Sequence, residues 1–174
     1  MASPFRRAWV HGFAAVVALA AVPEASAGET VPPQTMQQLV RMPAADLSAL
    51  YAASPAAPVP SGFVPGRAIK NPGSRTTVAN ARATRLVWQG KIFRDDGTMI
   101  NRFGPVKAIP ADVYVGESWV DGQPALIFDY GRSKLWPDVR DEVREVSPGL
   151  YLGIMYKGKA QPEQKMFFTL DARK

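Results

Sequence analysis

Apolar and polar positions alternate in short runs along residues 63–171, and turn-forming residues separate these runs. Alternation with a period of two residues is typical of half-buried β-strands. Asp96-Gly97, Asp121-Gly122 and Pro148-Gly149 occur where hairpins need tight turns. The pattern predicts strands at residues 63–70, 88–94, 98–103, 111–120, 123–130, 139–146, 150–156 and 165–171.

This succession of strands and short turns predicts a single, mainly β domain at residues 63–174. Consecutive strands would pair antiparallel in an up-and-down sheet that curls into a barrel or half-barrel. The strand at residues 123–130 is largely apolar on both faces, so we expect it to be buried on both sides. Barrels of this kind are filled by side chains or hold one small ligand.

The segment before this domain, residues 28–62, combines helical periodicity with proline. Residues 35–41 and 44–53 are predicted short helices, and Leu47, Leu50 and Tyr51 form an apolar stripe on the second. Residues 54–62 contain too much proline for a helix or an inner strand, so they are predicted to be an extended connector. We expect these N-terminal helices to pack on the barrel. There they could act as a lid over a pocket or cover one end of the barrel, and we favour the cover.

Residues 74–89 fit two different patterns. A helix would run to about Val87, with Val78, Arg82 and Leu86 on one side. A strand would instead begin at Thr84. We favour the helix, followed by a strand.

Residues 1–27 have the pattern of a secretory signal. Arg6 and Arg7 precede an apolar stretch at residues 9–22, and Ala25-Ser26-Ala27 is a small-residue cleavage site. A spanning helix needs about 20 apolar residues, so we favour cleavage before Gly28 over an uncleaved anchor. The two arginines also admit twin-arginine export, although ordinary secretion fits the flanking residues better. The expected location is therefore periplasmic or secreted.

Composition narrows the chemistry that this chain could perform. The chain has no cysteine, and its one histidine, His11, lies inside the predicted signal. The mature chain would then lack the side chains of Ser-His-Asp and Cys-His catalysis, of the usual zinc sites and of covalent haem attachment. We expect no cofactor and no metal, so any catalysis would use Asp, Glu, Lys, Arg, Tyr or Ser.

The net charge is +6 for the whole chain, and it becomes +5 once residues 1–27, which contain two arginines and one glutamate, are removed. An excess of this size could favour anionic membranes, polyanions or acidic ligands. The basic residues are scattered, however, and no run of Lys or Arg is typical of a nucleic-acid site. We therefore favour a generic basic surface and expect no nucleic-acid partner.

Five ordered motifs carry a resemblance to known proteins, and they are Trp88-Gln-Gly-Lys-Ile-Phe93, Ser118-Trp-Val-Asp-Gly122, Asp129-Tyr130, Arg140-Asp-Glu-Val-Arg144 and Pro148-Gly-Leu-Tyr-Leu-Gly153. Over residues 45–171 the chain resembles a group of small bacterial hypothetical proteins that share them. More distantly it resembles the GXWXG-type proteins, which are related to lipocalin-like barrels. The resemblance implies that fold and no activity. The chain departs from the group between Asp129 and Pro137, where it reads GRSKLW.

Charged residues alternate along the strand at residues 139–146. Arg140, Glu142 and Arg144 share one face, and Asp141 shares the other with Glu145. Facing solvent, such charges would simply form ion pairs on a strand surface, which we favour. Facing inward, the two arginines would bind a carboxylate or phosphate through bidentate hydrogen bonds.

A second candidate set surrounds Asp129 and Tyr130 at the end of the buried strand. A carboxylate there needs a partner, for which Lys91 or an arginine of residues 140–144 is the natural candidate. A buried ion pair that fixes strand register is the simpler interpretation. Trp88, Trp119, Phe128, Tyr151 and Tyr156 could line an apolar pocket, although core packing is the more ordinary role for aromatic residues.

Three functions fit these patterns. The favoured one is a binding module whose barrel holds a small apolar or amphipathic molecule, acidic ones included, with Arg140 or Arg144 at its polar end. The first alternative is a histidine-independent lyase or isomerase that uses Asp129, Lys91 and Tyr130 as acid and base. The second is a structural envelope domain with a filled barrel. The candidate ligand-binding residues are Trp88, Lys91, Trp119, Asp129, Tyr130, Arg140, Arg144 and Tyr151.

Overall fold

The computed structural model describes residues 32–173, so the predicted signal at residues 1–27 lies outside the described residues. The helices in this part of the chain are α1 (Met36–Arg41), α2 (Ala44–Ala53) and α3 (Thr77–Val87). The strands are β1 (Gly62–Ile69), β2 (Gly90–Phe93), β3 (Thr98–Phe103), β4 (Val106–Glu117), β5 (Pro124–Asp129), β6 (Val139–Ser147), β7 (Leu150–Lys157) and β8 (Glu163–Asp171).

These strands form a closed barrel in sequence order, and each pairs antiparallel with the next. β1 closes the ring by pairing with β8 from Gly66 opposite Leu170 to Ile69 opposite Phe167. The predicted antiparallel barrel is confirmed, in its closed form and not as a half-barrel. Its up-and-down topology is the one found in lipocalins. Closure gives both terminal strands a partner, so neither is left as an open edge.

Two hydrophobic clusters lie on the two faces of the sheet. The interior cluster includes Phe93, Met99, Leu126, Phe128 and Phe168, which alternate with outward residues along their strands. The outer cluster packs α1 and α2 onto the sheet. The four central residues of β5, residues 125–128, are completely buried, as their apolar pattern predicts.

The leader helices are packed on the barrel wall. α1 contacts β1 and β8, and α2 contacts β6 and β7. The predictions that the leader is a lid or covers an end of the barrel are therefore both wrong for the helices. Their apolar stripe, with Leu47 and Tyr51 fully buried, matches the apolar outer face of those strands, and burying both surfaces stabilises this position. The proline-rich connector reaches the barrel end instead, where Ala57 joins the interior cluster.

The two ends of the barrel differ in what covers them. The end at which β1, β3, β5 and β7 finish is called the mouth end below, and α3, which packs against β1 and α1, belongs to the connection from β1 to β2 at that end. The opposite end, where the connector crosses, is called the connector end. Glu145 N donates to Pro55 O at 3.0 Å and so ties the connector to β6.

The structure settles two boundaries that the sequence pattern left open or misplaced. The favoured helix in residues 74–89 is confirmed as α3, followed by β2 at Gly90. β4 begins at Val106 and not at residue 111, because a bulge lets the strand continue through a proline. Ile109 is the extra residue of this bulge and has φ +61°, while Asn101 and Ile100 of β3 pair with the residues on either side.

Candidate ligand site inside the barrel

Four polar side chains meet inside the barrel and are almost completely buried. Lys91 comes from β2, Asn101 from β3, Asp141 from β6, and Tyr130 directly follows β5. None of the four is more than 3% exposed. Each occupies an inward position of the period-two alternation, so closing the barrel brings together residues that lie far apart in sequence.

Hydrogen bonds connect all four groups. Lys91 Nζ donates to Tyr130 Oη at 2.6 Å, to Asp141 Oδ2 at 2.9 Å and to Asn101 Oδ1 at 3.1 Å. Tyr130 Oη donates to Asp141 Oδ2 at 2.9 Å. Asn101 Nδ2 donates to Ile109 O at 3.0 Å and to Tyr130 Oη at 3.2 Å. We call these four side chains the interior polar cluster.

One oxygen of this cluster remains available. A lysine ammonium has three N–H donors, and all three of Lys91 are used. Tyr130 both donates and accepts. Within residues 32–173, both hydrogen bonds to the Asp141 carboxylate end on Oδ2. Oδ1 of Asp141 is therefore the acceptor that the cluster can offer to another molecule.

Aromatic rings enclose the ammonium group. Lys91 Nζ lies 5.1 to 5.5 Å from the ring centroids of Trp88, Phe128, Tyr130 and Phe168. Rings at this distance attract a cation through their quadrupoles. Trp88 is also fixed by a hydrogen bond from Nε1 to Asn101 Oδ1 at 2.9 Å.

Two glycines make space for these rings. A Cβ atom at Gly66 would lie 2.5 Å from Cη2 of Trp88, and one at Gly153 would lie 2.2 Å from Cζ of Phe168. Both distances are far inside van der Waals contact. The enclosure of Lys91 therefore depends on the absence of side chains at two positions, one on β1 and one on β7, the two strands that flank β8.

Burial changes the proton affinities in the cluster. Removal of Lys91 from water disfavours its charged form and lowers its pKa, and the nearby Asp141 carboxylate opposes part of that change. Burial raises the pKa of Tyr130 well above its ordinary value, and the charge of Asp141 raises it further. The pKa values of Lys91 and Tyr130 are thus shifted in opposite directions, and the two groups are hydrogen-bonded to each other.

A cavity of about 160 Å³ lies beside the cluster and reaches the mouth end. Its walls are mainly apolar, and the polar cluster forms one side. The residues that line it are Ala68, Lys70, Thr84, Val87, Trp88, Lys91, Asn101, Phe103, Tyr130, Trp136, Asp141, Met155, Met166 and Phe168. The barrel is therefore not completely filled by side chains.

Three of the eight predicted site residues line this cavity, namely Trp88, Lys91 and Tyr130. Tyr151 belongs to the interior core but does not line the cavity. The side-chain partner of Lys91 is Asp141, so the prediction that Lys91 pairs with Asp129 is wrong. Asp129 instead accepts from Gly131 N at 2.8 Å and from Tyr114 Oη at 3.3 Å.

Trp119, Asp129 and Arg140 come together at a separate, open depression on the outer surface. The Arg140 guanidinium lies 4.4 Å from the ring centroid of Trp119, and Arg140 Nε donates to Glu142 Oε1 at 3.0 Å. The outward face of β6 explains this grouping, since Arg140 and Glu142 are two residues apart.

Arg144 is outside the barrel but is buried, with 1% exposure. Its guanidinium donates to both carboxylate oxygens of Asp121, at 2.6 and 2.8 Å, and to Tyr51 O and Ala52 O at 3.1 and 3.2 Å. The last two carbonyls belong to the final turn of α2, so Arg144 fastens that helix to the wall. Neither Arg140 nor Arg144 lines the cavity, so the prediction of an arginine at the polar end of an interior ligand is wrong.

Glu142 anchors the same outer face without any exposure to solvent. Ser118 Oγ donates to its Oε2 at 2.6 Å, and Trp119 N donates to its Oε1 at 3.0 Å. Tyr51 Oη of α2 also reaches Oε2, at 3.5 Å. The favoured view of this face as a solvated surface is therefore wrong for Glu142 and Arg144, because the leader covers them.

The sequence analysis missed Asn101 and gave Asp141 no site role of its own. Both were marked by one signal, which is a polar residue at the inward position of an otherwise apolar alternation. Met99 and Phe103 flank Asn101 at two residues on either side, and Val139 and Val143 flank Asp141. Because the alternation predicts that these side chains point inward, it also predicts that they need a partner there.

No helix within residues 32–173 is both long and apolar enough to cross a bilayer. In the same part of the chain, no three His, Cys, Asp or Glu side chains come together as a metal site requires.

A crystal structure of a protein from Thermomonospora curvata is similar to this chain. The similarity has a TM-score of 0.53, covers 80% of this chain and 98% of the other, and has 18% sequence identity. At this identity it shows a common fold and nothing about activity. No family model matches the chain, and no curated protein does. The motif resemblance described above stays a prediction.

Proposed function

We propose that the protein binds a small apolar or amphipathic molecule in the barrel cavity, with its polar group at Asp141. The observation that carries this proposal is an apolar cavity with one polar side that retains a free acceptor. Ligand pockets usually combine apolar walls with a few fixed polar groups.

The cavity volume limits what can enter. A cavity of about 150 Å³ holds a benzene-sized molecule, and drug-sized ligands occupy about 300–1,000 Å³. With about 160 Å³, this cavity fits one ring or a short branched chain. A longer molecule would have to extend through the mouth end.

The hydrogen-bond pattern limits the polar group of the ligand. Lys91 has no donor left, so an acidic ligand would have to displace Asp141, Tyr130 or Asn101 from it. Asp141 Oδ1 instead accepts from a hydroxyl, an amine or an amide N–H. We therefore propose an alcohol, a phenol or an amine, in place of the acidic ligand that an inward arginine pair would have bound.

Protein recovered from the cells that produce it, analysed by native mass spectrometry, tests the proposal. We expect a retained small molecule, or reversible binding of phenol or benzyl alcohol as probes in calorimetry. Ala68→Leu narrows the cavity and should weaken probe binding, whereas Ala79→Leu on the exposed face of α3 should not. Absence of binding by every probe to a folded protein would contradict the proposal.

A comparison of two ligands of similar size tests whether Asp141 accepts a hydrogen bond from the ligand. Benzyl alcohol and toluene have similar size, and only the alcohol donates a hydrogen bond. We expect the alcohol to bind more tightly to the unmodified protein, by about 1 kcal/mol for one such bond. Equal affinities would remove Asp141 from the site while leaving the apolar cavity in place.

A second candidate, acid–base catalysis of the lyase or isomerase type, is favoured by the opposite pKa directions of Lys91 and Tyr130. Asp141 takes the place that Asp129 had in the sequence prediction. Hydrogen–deuterium exchange next to the carbonyl of cyclohexanone, followed by NMR in heavy water, tests it. Catalysed exchange that Lys91→Met abolishes would support this function, and exchange at the uncatalysed rate would exclude it for such ketones.

A further inference from the structure

The charges of the strand connections are sorted between the two ends of the barrel. The connections at the mouth end contain seven Lys or Arg and one Asp, and they are residues 70–89, 104–105, 130–138 and 158–162. Two of the seven point away from that end, since Arg132 pairs with Asp112 in a depression that Arg94 and Asp96 also line, and Arg82 shares a depression with Asp171 and Arg173. The five that remain are Lys70, Arg75, Arg85, Lys134 and Lys159. The segments at the connector end contain two Arg and three Asp, and they are residues 94–97, 118–123, 148–149 and 172–173. Because consecutive strands run in opposite directions, every second connection lies at the same end of the barrel. Basic residues that are scattered in the sequence are therefore brought to one end.

Exposed apolar side chains lie at the same end. Leu86 and Val87 at the end of α3 are 81% and 63% exposed, Leu135 in the loop after β5 is 70% exposed, and Val106 at the β3–β4 turn is 56% exposed. Val87 also lines the cavity, as does Trp136 beside Leu135. Single exposed apolar residues are ordinary, but these four all belong to the end of α3 or lie in or next to strand connections at the mouth end.

We propose that the mouth end docks on the surface of a bilayer that contains anionic phospholipids. Peripheral membrane binding combines apolar side chains, which enter the interface, with basic side chains, which are attracted to anionic headgroups. The mouth end has both, and its basic residues complement the charge of such a surface. A soluble polyanion would engage the basic residues alone and give no role to Leu86 or Leu135.

This docking concerns the rim and does not depend on the occupancy of the cavity. If the cavity also holds an amphipathic molecule, docking would turn its opening towards the bilayer. The two proposals are therefore tested separately, because vesicle binding is measured without any small-molecule probe.

Co-sedimentation with vesicles is the experiment, using protein as recovered from the cells that produce it. We expect binding to phosphatidylcholine vesicles that contain phosphatidylglycerol, weaker binding as salt is raised, and little binding to phosphatidylcholine alone. Binding that is absent with the anionic vesicles, or equal with both compositions, overturns the proposal.

Matched variants then separate the basic from the apolar contribution. Each basic residue near an anionic surface contributes about a fivefold factor in partitioning, so Arg85→Gln with Lys134→Gln should weaken binding about 25-fold. Arg94→Gln at the connector end is the matched control and should change binding less than about twofold, because salt screens distant charges. An equal loss in the control would overturn docking through the mouth end.

Leu86→Ser with Leu135→Ser should also weaken vesicle binding, by about tenfold, since both side chains lose their place in the interface. Val59→Ser with Val115→Ser removes two exposed valines away from the mouth and should have no such effect. If the leucine variant binds normally while the Arg85 and Lys134 variant does not, the surface binds polyanions and the membrane proposal is wrong. Unchanged circular dichroism shows that each variant is folded.

The orientation has an independent readout in tryptophan quenching by brominated phosphatidylcholine mixed with phosphatidylglycerol. Trp136 lines the opening, whereas Trp119 lies on the outer wall of the barrel, where it lines the depression beside Arg140. We expect quenching to persist in Trp119→Phe and to fall in Trp136→Phe. The reverse pattern would mean that the outer depression beside Trp119 faces the bilayer, and it would overturn docking through the cavity opening.

Discussion

Lys91 Nζ lies 2.9 Å from Asp141 Oδ2 inside the barrel, although the two residues are 50 positions apart in the sequence. Both side chains are at most 5% exposed, so each charge depends on the other for its compensation. Removing one partner of such a pair leaves an unpaired buried charge, which is far more costly than losing a surface ion pair.

We expect Lys91→Met and Asp141→Asn each to lower the free energy of unfolding by about 3–5 kcal/mol. The double variant should lose less than the sum of the two, since neither charge is then left alone. Lys165→Met is the matched control, because Lys165 pairs with Glu163 on the surface and should cost within about 0.5 kcal/mol. Urea unfolding measures all four proteins. Additive losses would mean that the two side chains do not form a pair in solution.

A second prediction compares Arg144 and Arg140, which both lie on the outer face of β6. Arg144→Met should lower the free energy of unfolding by about 3–5 kcal/mol, because it removes the donors to Asp121 and to the end of α2. Arg140→Met should cost about 1 kcal/mol, since Glu142 retains its hydrogen bonds from Ser118 and Trp119. Repeating Arg144→Met in an Asp121→Asn background should show coupling in urea unfolding. Equal losses from the two arginine variants would contradict this account.

A third prediction concerns the space that Gly153 gives to Phe168. Gly153→Ala should lower the free energy of unfolding by about 1–3 kcal/mol, because the new methyl group overlaps the ring. Combining it with Phe168→Leu should recover part of that loss relative to Phe168→Leu alone, since the ring is then absent. Chemical denaturation of the four proteins gives the coupling. If Gly153→Ala is equally costly in both backgrounds, the close approach is not its cause.

The tyrosines predict a loss of stability in alkali. All five, Tyr51, Tyr114, Tyr130, Tyr151 and Tyr156, have a raised pKa, chiefly through burial, and that of Tyr156 is about 12. The folded chain then keeps phenol protons that the unfolded chain releases near pH 10, so the free energy of unfolding falls as pH rises above that value. The lowered pKa of Lys91 acts in the opposite direction, but only up to about pH 10.4, where an unfolded lysine also loses its proton.

Urea unfolding above about pH 10.4 should therefore show a steep decrease in stability with pH. Tyr51→Phe removes one strongly buried phenol and should make that decrease shallower, while Tyr114→Phe, at an exposed site, should change it least. A slope that Tyr51→Phe leaves unchanged would show that Tyr51 titrates alike in both states. Near-ultraviolet absorbance should report later tyrosinate formation in the folded chain than in urea.

The sequence determined the local parts of this protein. Period-two alternation predicted the strands, Asp-Gly and Pro-Gly turns predicted the hairpins, and short connections predicted antiparallel neighbours. Alternation also separated Asp141 from Arg140 and Arg144 on opposite faces of one strand. These inferences succeed because they depend on backbone geometry over a few residues.

Only the tertiary structure decided which face of β6 lies inside and which residues meet there. Both faces contain charges, so the sequence pattern alone does not show which face points into the barrel. Closure of the barrel buries one face, and packing of α2 buries the other. The pairing of Lys91 with Asp141 and the gathering of basic residues at the mouth end depend on strand order and register across the whole barrel. Contacts between distant segments are fixed by the total burial and hydrogen bonding of the closed sheet, which no single stretch of sequence contains.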